Sequence, residues 1–320
     1  MKDSLRFRFP GEGKQHYSGE LKVFDPSVQK NGFIVTDFTI GCTYYFAVSA
    51  ENDADQLFFS EKRPVVISKE EYLEAGTTFL NELRKEHMGK AIFSRIKEED
   101  FESTKTEFLF DALCEQYPDA LVYLLSSRQC GTWIGASPEV LLETDDHYMY
   151  TMALAGTKKN EAAEWTQKEV DEQQYVADFI VEELKECNVE DLHIVGPFDF
   201  HAGPVVHLRT DIAAQLNGSS IWEVAKKLHP TPAVSGLPRK EAIALIHRHE
   251  PHDRSLYSGM IGFLSDDFTR LFVNLRCGQI MQDKIYLYVG GGYTQLSDVE
   301  HEWQETENKS RTLLNVIEHL

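Results

Sequence analysis

Residues 259–292 read GMIGFLSDDFTRLFVNLRCGQIMQDKIYLYVGGG. Three apolar runs stand in this stretch, at 259–264, 269–277 and 284–292. Their connectors, Ser265-Asp266-Asp267 and Gln282-Asp283, are short and polar and suit tight turns. The spacing predicts three consecutive antiparallel strands. Further strand patterns precede them at 32–39, 43–48, 90–96, 121–125, 131–134, 140–143 and 205–214. Helical periodicity marks 69–86, 166–187, 220–228, 239–249 and 301–319. On the second of these, Val170, Ala177, Ile180, Val181 and Leu184 make an apolar stripe. Irregular alternation of strands and helices, with tight turns between some strands, argues for an α+β fold rather than a doubly wound parallel sheet.

The chain has 320 residues, which leaves one large domain or two small ones open. Lysine and arginine number 32 against 52 aspartates and glutamates, a formal charge of −20. Such a surface repels phosphate backbones and anionic lipid, so no nucleic acid and no membrane is expected among its partners. An anionic substrate would need local cations or a metal to overcome that field. Five scattered cysteines without a CxxC fit a reducing cytoplasm better than a disulfide frame. No run approaches the ~18 apolar residues of a membrane span, and no signal core follows Met1. A cytoplasmic protein, and a monomer, is expected.

Three patterns could carry chemistry. On the predicted helix 166–187, Glu169 and Glu172 are three apart and share a face; on the last helix Glu302 and Glu305 repeat the spacing, with Lys309 four residues further on. Carboxylates from two helices, completed by water and an anionic substrate, suit a hard divalent ion such as magnesium. In a chain this acidic, the same spacing also arises on solvated faces. Val289-Gly290-Gly291-Gly292-Tyr293 puts three glycines at a strand end, where backbone approaches a ligand or merely bulges. It is not a GxGxxG fingerprint. His229-Pro230-Thr231-Pro232-Ala233-Val234-Ser235-Gly236 reads as a rigid loop. His247 and His249, two apart, make a poor zinc pair. Gly135-Ala136-Ser137-Pro138-Glu139 lacks the second glycine of a nucleophile elbow.

Seven blocks occur in order: Lys90-Ala91-Ile92-Phe93-Ser94-Arg95; Gly135 to Glu139; Leu154-Ala155-Gly156-Thr157; His229 to Pro238; Glu250-Pro251-His252-Asp253-Arg254; Leu275-Arg276-Cys277; and Glu302-Trp303-Gln304-Glu305-Thr306-Glu307-Asn308-Lys309. As an ordered set they resemble the chorismate-utilising enzymes, namely the isochorismate, salicylate, anthranilate and aminodeoxychorismate synthases, over residues 80–320. The resemblance implies one chorismate-binding domain over 1–320, with a shortened N-terminal part at 1–80 and a catalytic core at 81–320. It implies two mainly antiparallel sheets stacked face to face with helices outside. It also implies roles. Lys90 matches the general base that activates water, and Glu139 the general acid that protonates the departing hydroxyl. Glu172 and Glu305 match magnesium ligands, supported through water by Glu169 and Glu302. Arg276 and Lys309 match positions holding substrate carboxylates. Gly156, with Thr157 after it, and the turn at Gly290, Gly291 and Gly292 match backbone that meets the substrate, and His207 matches a histidine near the ring.

The chemistry explains these residue types. Hydroxide leaves only as water, which needs a proton donor; a carboxylic acid serves if burial raises its pKa. Water attacks well only when a base takes its proton. Lys90 favours the water-using branch, since the ammonia-using anthranilate synthases typically carry glutamine there. Ala155 stands where aminodeoxychorismate synthases carry a nucleophilic lysine. Ala233 and Tyr257 match the isochorismate type, which makes isochorismate synthase the expected member, with a menaquinone role preferred over a siderophore one. A salicylate synthase or a chorismate-binding non-catalytic subunit remains the alternative. Three departures stand out: Lys158-Lys159 where an arginine is common, Gln173-Gln174 where the acidic helix block carries histidine, and His252 in place of phenylalanine.

Overall fold

A computed structural model describes residues 2–29, 31–49, 56–145, 148–158, 164–202, 205–265 and 268–320. The elements run β1 (Asp3–Arg8), β2 (Gln15–Val23), β3 (Gly32–Thr36), β4 (Thr43–Val48), α1 (Lys69–Lys85), β5 (Lys90–Asp100), α2 (Thr106–Gln116), β6 (Leu121–Ser127), β7 (Gly131–Ser137), β8 (Val140–Thr144), β9 (Met149–Lys158), α3 (Gln167–Glu186), β10 (Val189–Ala202), β11 (Val205–Leu216), α4 (Ile221–Leu228), β12 (Gly236–Leu237), α5 (Arg239–His249), β13 (Met260–Leu264), β14 (Arg270–Val273), β15 (Cys277–Ile280), β16 (Lys284–Tyr293) and α6 (Val299–Ile317). Among the described residues no helix is long and apolar enough to cross a membrane.

The strands form one hydrogen-bonded ladder in the order β10-β11-β9-β8-β14-β13-β3-β4-β2-β1-β6-β7-β15-β16-β5-β12. Its pairings are antiparallel. The ladder folds back on itself. Val35, Ile261 and Phe272 on β3, β13 and β14 pack in one core with Tyr123, Trp133 and Tyr288 on β6, β7 and β16. In a flat sheet β14 and β7 would stand seven strand spacings, or about 33 Å, apart. Two halves of one ladder therefore face each other, which is the stacked arrangement the resemblance implies. Helices cover the outer faces. Helices α1, α3, α4 and α5 lie on one half, where Phe79, Ile180, Val224 and Leu245 are buried. Helix α2 and the end of α6 lie on the other, with Leu109, Phe110 and Leu313. The residues before 80 supply four strands at the centre of the ladder.

Two expectations for the strands change. The run 269–277 is not one strand: β14 pairs β13 and β8, whereas β15 pairs β7 and β16 in the opposite half. Asn274, Leu275 and Arg276 carry the chain across, with Arg276 in the left-handed region at φ 49°. The sequence shows one apolar run because both halves are buried on both faces there. Secondly, Gly290, Gly291 and Gly292 are not a turn. They lie inside β16, opposite Ser94, Phe93 and Ile92 of β5.

Helix ends follow local rules. Ser68 caps α1 in a reciprocal capping box with Glu71, and Thr166 caps α3 in another with Glu169. Ser220 and Asp298 cap α4 and α6. Val170, assigned above to the apolar stripe of α3, is exposed, while Val176 and Phe179 are buried.

Candidate active site

Lys90 opens β5, and its backbone is clamped on both sides. Strand β16 lies along one edge. On the other, β12 pairs Gly236 with Ala91 and Leu237 with Lys90, and the Ile92 N–H donates to the Ser235 carbonyl at 3.0 Å. Gly236 is required here: its φ is 133°, and a Cβ would fall 2.2 Å from the Lys90 carbonyl oxygen. The proline-rich loop thus buttresses Lys90. Its first turn is closed by N–H groups of Val234 and Ser235 donating to the Thr231 carbonyl. The Lys90 ammonium is buried and forms an ion pair with Glu172 of α3.

Glu139 and Arg276 occupy the two places where the chain crosses between halves. One crossing joins β7 to β8, the other β14 to β15. The crossings are stitched together: Ala136 N–H donates to the Arg276 carbonyl and Val273 N–H to the Glu139 carbonyl, both at 3.0 Å. Tertiary burial pushes the Glu139 carboxyl up to about 7, against the opposing pull of Lys90, Lys309 and Arg276 and of the Thr231 hydroxyl. The residue as a whole is half-buried. Tyr257 is buried nearby, its phenol pushed up to about 12 by burial and so kept as a donor. A Cβ on Gly290 would fall 2.9 Å from the Tyr257 hydroxyl.

The four glutamates sit at the entries of α3 and α6. Glu172 is paired with Lys90. Glu305 is paired with Lys309 at 2.6 Å. Lys309 also donates to the Gly290 carbonyl at 2.8 Å, and Arg276 donates to the Lys309 carbonyl at 3.1 Å. Glu169 accepts from the Thr166 N–H at 3.0 Å within the capping box. Glu302 accepts from the Ser297 hydroxyl at 2.7 Å, and its carboxylate lies 2.9 Å from where a Cβ on Gly291 would stand. Among the described residues no three such groups converge closely enough to hold a metal. The donor set is nonetheless all carboxylate oxygen, the chemistry of a hard divalent ion, and lysine ammonium groups sit on the two proposed principal ligands.

His207 donates from Nδ1 to the Gly156 carbonyl at 3.0 Å, and burial lowers its pKa, so the ring is neutral. Arg276, Lys309 and Glu305 all act on its charge. Gly156 has φ 71°, and a Cβ there would stand 3.1 Å from the Glu169 Cβ. Thr157 is described through its backbone, which pairs with His207; its side chain lies outside the described residues. Ala233 is half-buried in the loop beside Thr231.

Other groups escaped the sequence reading. Glu250 and Arg254 form a buried pair at 2.6 Å. Arg254 also donates to the Val234 and Ile92 carbonyls, and Glu250 accepts from the Ser94 N–H at 2.7 Å. This block therefore fastens the proline-rich loop to β5. The i, i+4 spacing was a visible signal, but its burial was not. Arg95 lies 3.8 Å over the Trp303 ring and pairs with Glu307, joining the first block to the last.

The family model described as "Chorismate binding enzyme" matches residues 44–318. The chain belongs to the chorismate-binding enzymes. Chorismate-binding enzymes of this kind are generally metal-dependent. The chain is 35% identical over 198 residues to isochorismate synthase MenF of Escherichia coli (strain K12), which is 58% of this chain and 46% of that protein. Isochorismate synthase EntC of the same strain is 30% identical over 223 residues, 65% of this chain and 57% of that protein. In sequence, the chain spans about half the length of these curated relatives. The solved structure of MenF, the menaquinone-specific isochorismate synthase from E. coli, superposes with a TM-score of 0.82 at 21% identity, over 98% of this chain and 88% of that one. That likeness shows the chorismate-binding enzyme fold.

Proposed function

We propose that this chain is an isochorismate synthase, an isomerase that adds water at C2 of chorismate and expels the C4 hydroxyl. The observation that supports the reading is the Glu139 carboxyl, pushed up to about 7 by burial although Lys90, Lys309 and Arg276 act on its charge, with Lys90 paired to Glu172 and Lys309 to Glu305. A carboxylic acid still partly protonated at neutral pH can give its proton to a departing hydroxyl. Three cations around it suit a dianionic substrate in a chain of net charge −20.

In this mechanism Lys90 first gives up the ammonium proton it shares with Glu172; the neutral amine then takes a proton from water as it attacks C2, and Glu139 protonates the C4 oxygen so that water departs. The double-bond system shifts between those carbons, so atoms and charge balance. Arg276 and Lys309 hold substrate carboxylates, the backbone at Gly156, Thr157, Gly291 and Gly292 lines the ring, and His207, Ala233 and Tyr257 shape the site. Glu172 and Glu305, supported by Glu169 and Glu302, would hold magnesium, which when bound neutralises the ring carboxylate and draws electron density from the conjugated system. The similarity to MenF supports a menaquinone role.

Purified protein incubated with chorismate, with and without magnesium, tests the reading. Isochorismate formed only with the metal, and no pyruvate in a lactate dehydrogenase couple, is the expected result. Pyruvate release would reassign the chain as a salicylate synthase, and unchanged chorismate would leave a binding subunit.

A further inference from the structure

Gln173 follows Glu172 on α3. It is 2% exposed, and all its amide capacity is directed inward. Its Oε1 accepts from the Ala155 N–H at 3.0 Å. Its Nε2 donates to the Ala153 carbonyl and to the Thr210 hydroxyl, each at 3.0 Å. One side chain thus joins α3 to two positions of β9 and one of β11.

The place is specific. The register of β9 against β11 slips between His207 and Leu208, beside Gly156. At that irregularity the Ala155 N–H goes to Gln173. The entry of α3 is consequently held twice, by the Thr166–Glu169 cap and by Gln173 one turn later. Glu172 lies between those anchors, facing Lys90. Gly156 lies just beyond Ala155, with His207 donating to its carbonyl.

We propose that Gln173 is a positioning residue for the reaction, one that sets Glu172 against Lys90 and sets the Gly156 backbone at the substrate. The inference rests on the functional reading above. It touches neither substrate nor metal itself. Arg276 and Lys309, which anchor the substrate, stand on other elements, so loss of the amide acts on the chemical step more than on substrate capture. Misplacement of a catalytic group by about 1 Å costs roughly a hundredfold in rate.

The test compares wild type with Gln173→Met, which keeps the volume and removes every hydrogen bond. Amide exchange at Ala155, kcat, KM for chorismate and the magnesium half-saturation are measured together. The expected result is Ala155 exchange accelerated by about tenfold or more and kcat reduced by about tenfold or more, with KM within about threefold of wild type. Faster exchange with unchanged kcat, KM and metal response overturns the proposal, because the amide would then only support the fold. Unchanged exchange overturns it too. Should Gln173→Met fail to fold, Thr210→Val removes one of the three bonds, and a wild-type kcat in that variant counts against the role. Wild-type protein that leaves chorismate untouched sinks the functional reading and this role with it, whereas active wild type beside equally active Gln173→Met sinks this role alone.

Discussion

Lys90 at the start of β5 and Glu172 in the second turn of α3 are joined by an ion pair, with only 9% and 20% of their side chains exposed. Two elements that are 82 residues apart in the chain meet there. One carboxylate cannot serve a lysine ammonium and a divalent cation at full strength. Glu172 therefore couples the proposed base to the proposed metal site.

Replacing Lys90 by alanine removes the group assigned to activate water. The expected loss of kcat is about a hundredfold to ten-thousandfold, the contribution general base catalysis makes. Strand β5 keeps its neighbours on both edges, so the far-ultraviolet circular dichroism stays that of wild type. Near-normal product formation by the folded variant would remove Lys90 from the mechanism.

Glu139 makes two pH predictions. Its acid form is needed, so kcat/KM falls as pH rises through about 7. Glu139→Gln loses turnover across the range. Stability carries the same signature. The carboxyl is raised from an ordinary 4.5 to about 7, so the folded protein holds a proton that the unfolded chain has given up. Folding then weakens as pH increases from about 4.5 to about 7, and the glutamine variant lacks this component. Denaturant titrations of both proteins at pH 4.5 and 7.5 check the sign; identical pH slopes would contradict it.

Arg254→Ala leaves Glu250 charged and buried. Both side chains are 3% exposed, and stranding a buried charge costs about 3–5 kcal/mol. For a protein of this size that lowers the melting temperature by about 4–7 °C. Burial alone would push Glu250 up, but Arg254, His252 and the Ser94 N–H hold it below its usual range. The pair's contribution is present above the usual carboxylate pKa and vanishes on acidification, so wild type and variant converge at low pH. A variant as stable as wild type at pH 7 would show that the pair holds nothing together.

Glu305→Gln tests the metal assignment. The change removes a charged oxygen ligand and also the partner of Lys309. Half-saturating magnesium is expected to rise by about tenfold or more, read from initial rates against metal concentration. An unchanged magnesium requirement removes Glu305 from the ligand set.

The legible part of the site consisted of residue types. Lys90, Glu139, Arg276 and Lys309 were named from ordered blocks, and Lys90, Lys309 and Arg276 all act on the charge of the Glu139 carboxyl. What stayed hidden was purpose within blocks. Glu250 and Arg254 stand in a matching block, yet their work is to tie the proline-rich loop to β5. Gln173 looked like a mere departure, and its three inward hydrogen bonds exist only because α3 packs on β9 and β11. In the fold, β4 and α5 matched their periodicity, because alternation and helical spacing are properties of short segments. The strands β1, β2, β9, β10 and β12 and the helix α2 were not assigned.

By itself the sequence determined the α+β class, the family and the type of the strongly periodic elements. Only tertiary structure decided that 269–277 splits between facing halves and that burial pushes the Glu139 carboxyl up to about 7. The physical reason is range. Hydrophobic periodicity and capping act over a few residues, whereas strand pairing, burial and desolvation depend on what distant segments bring alongside.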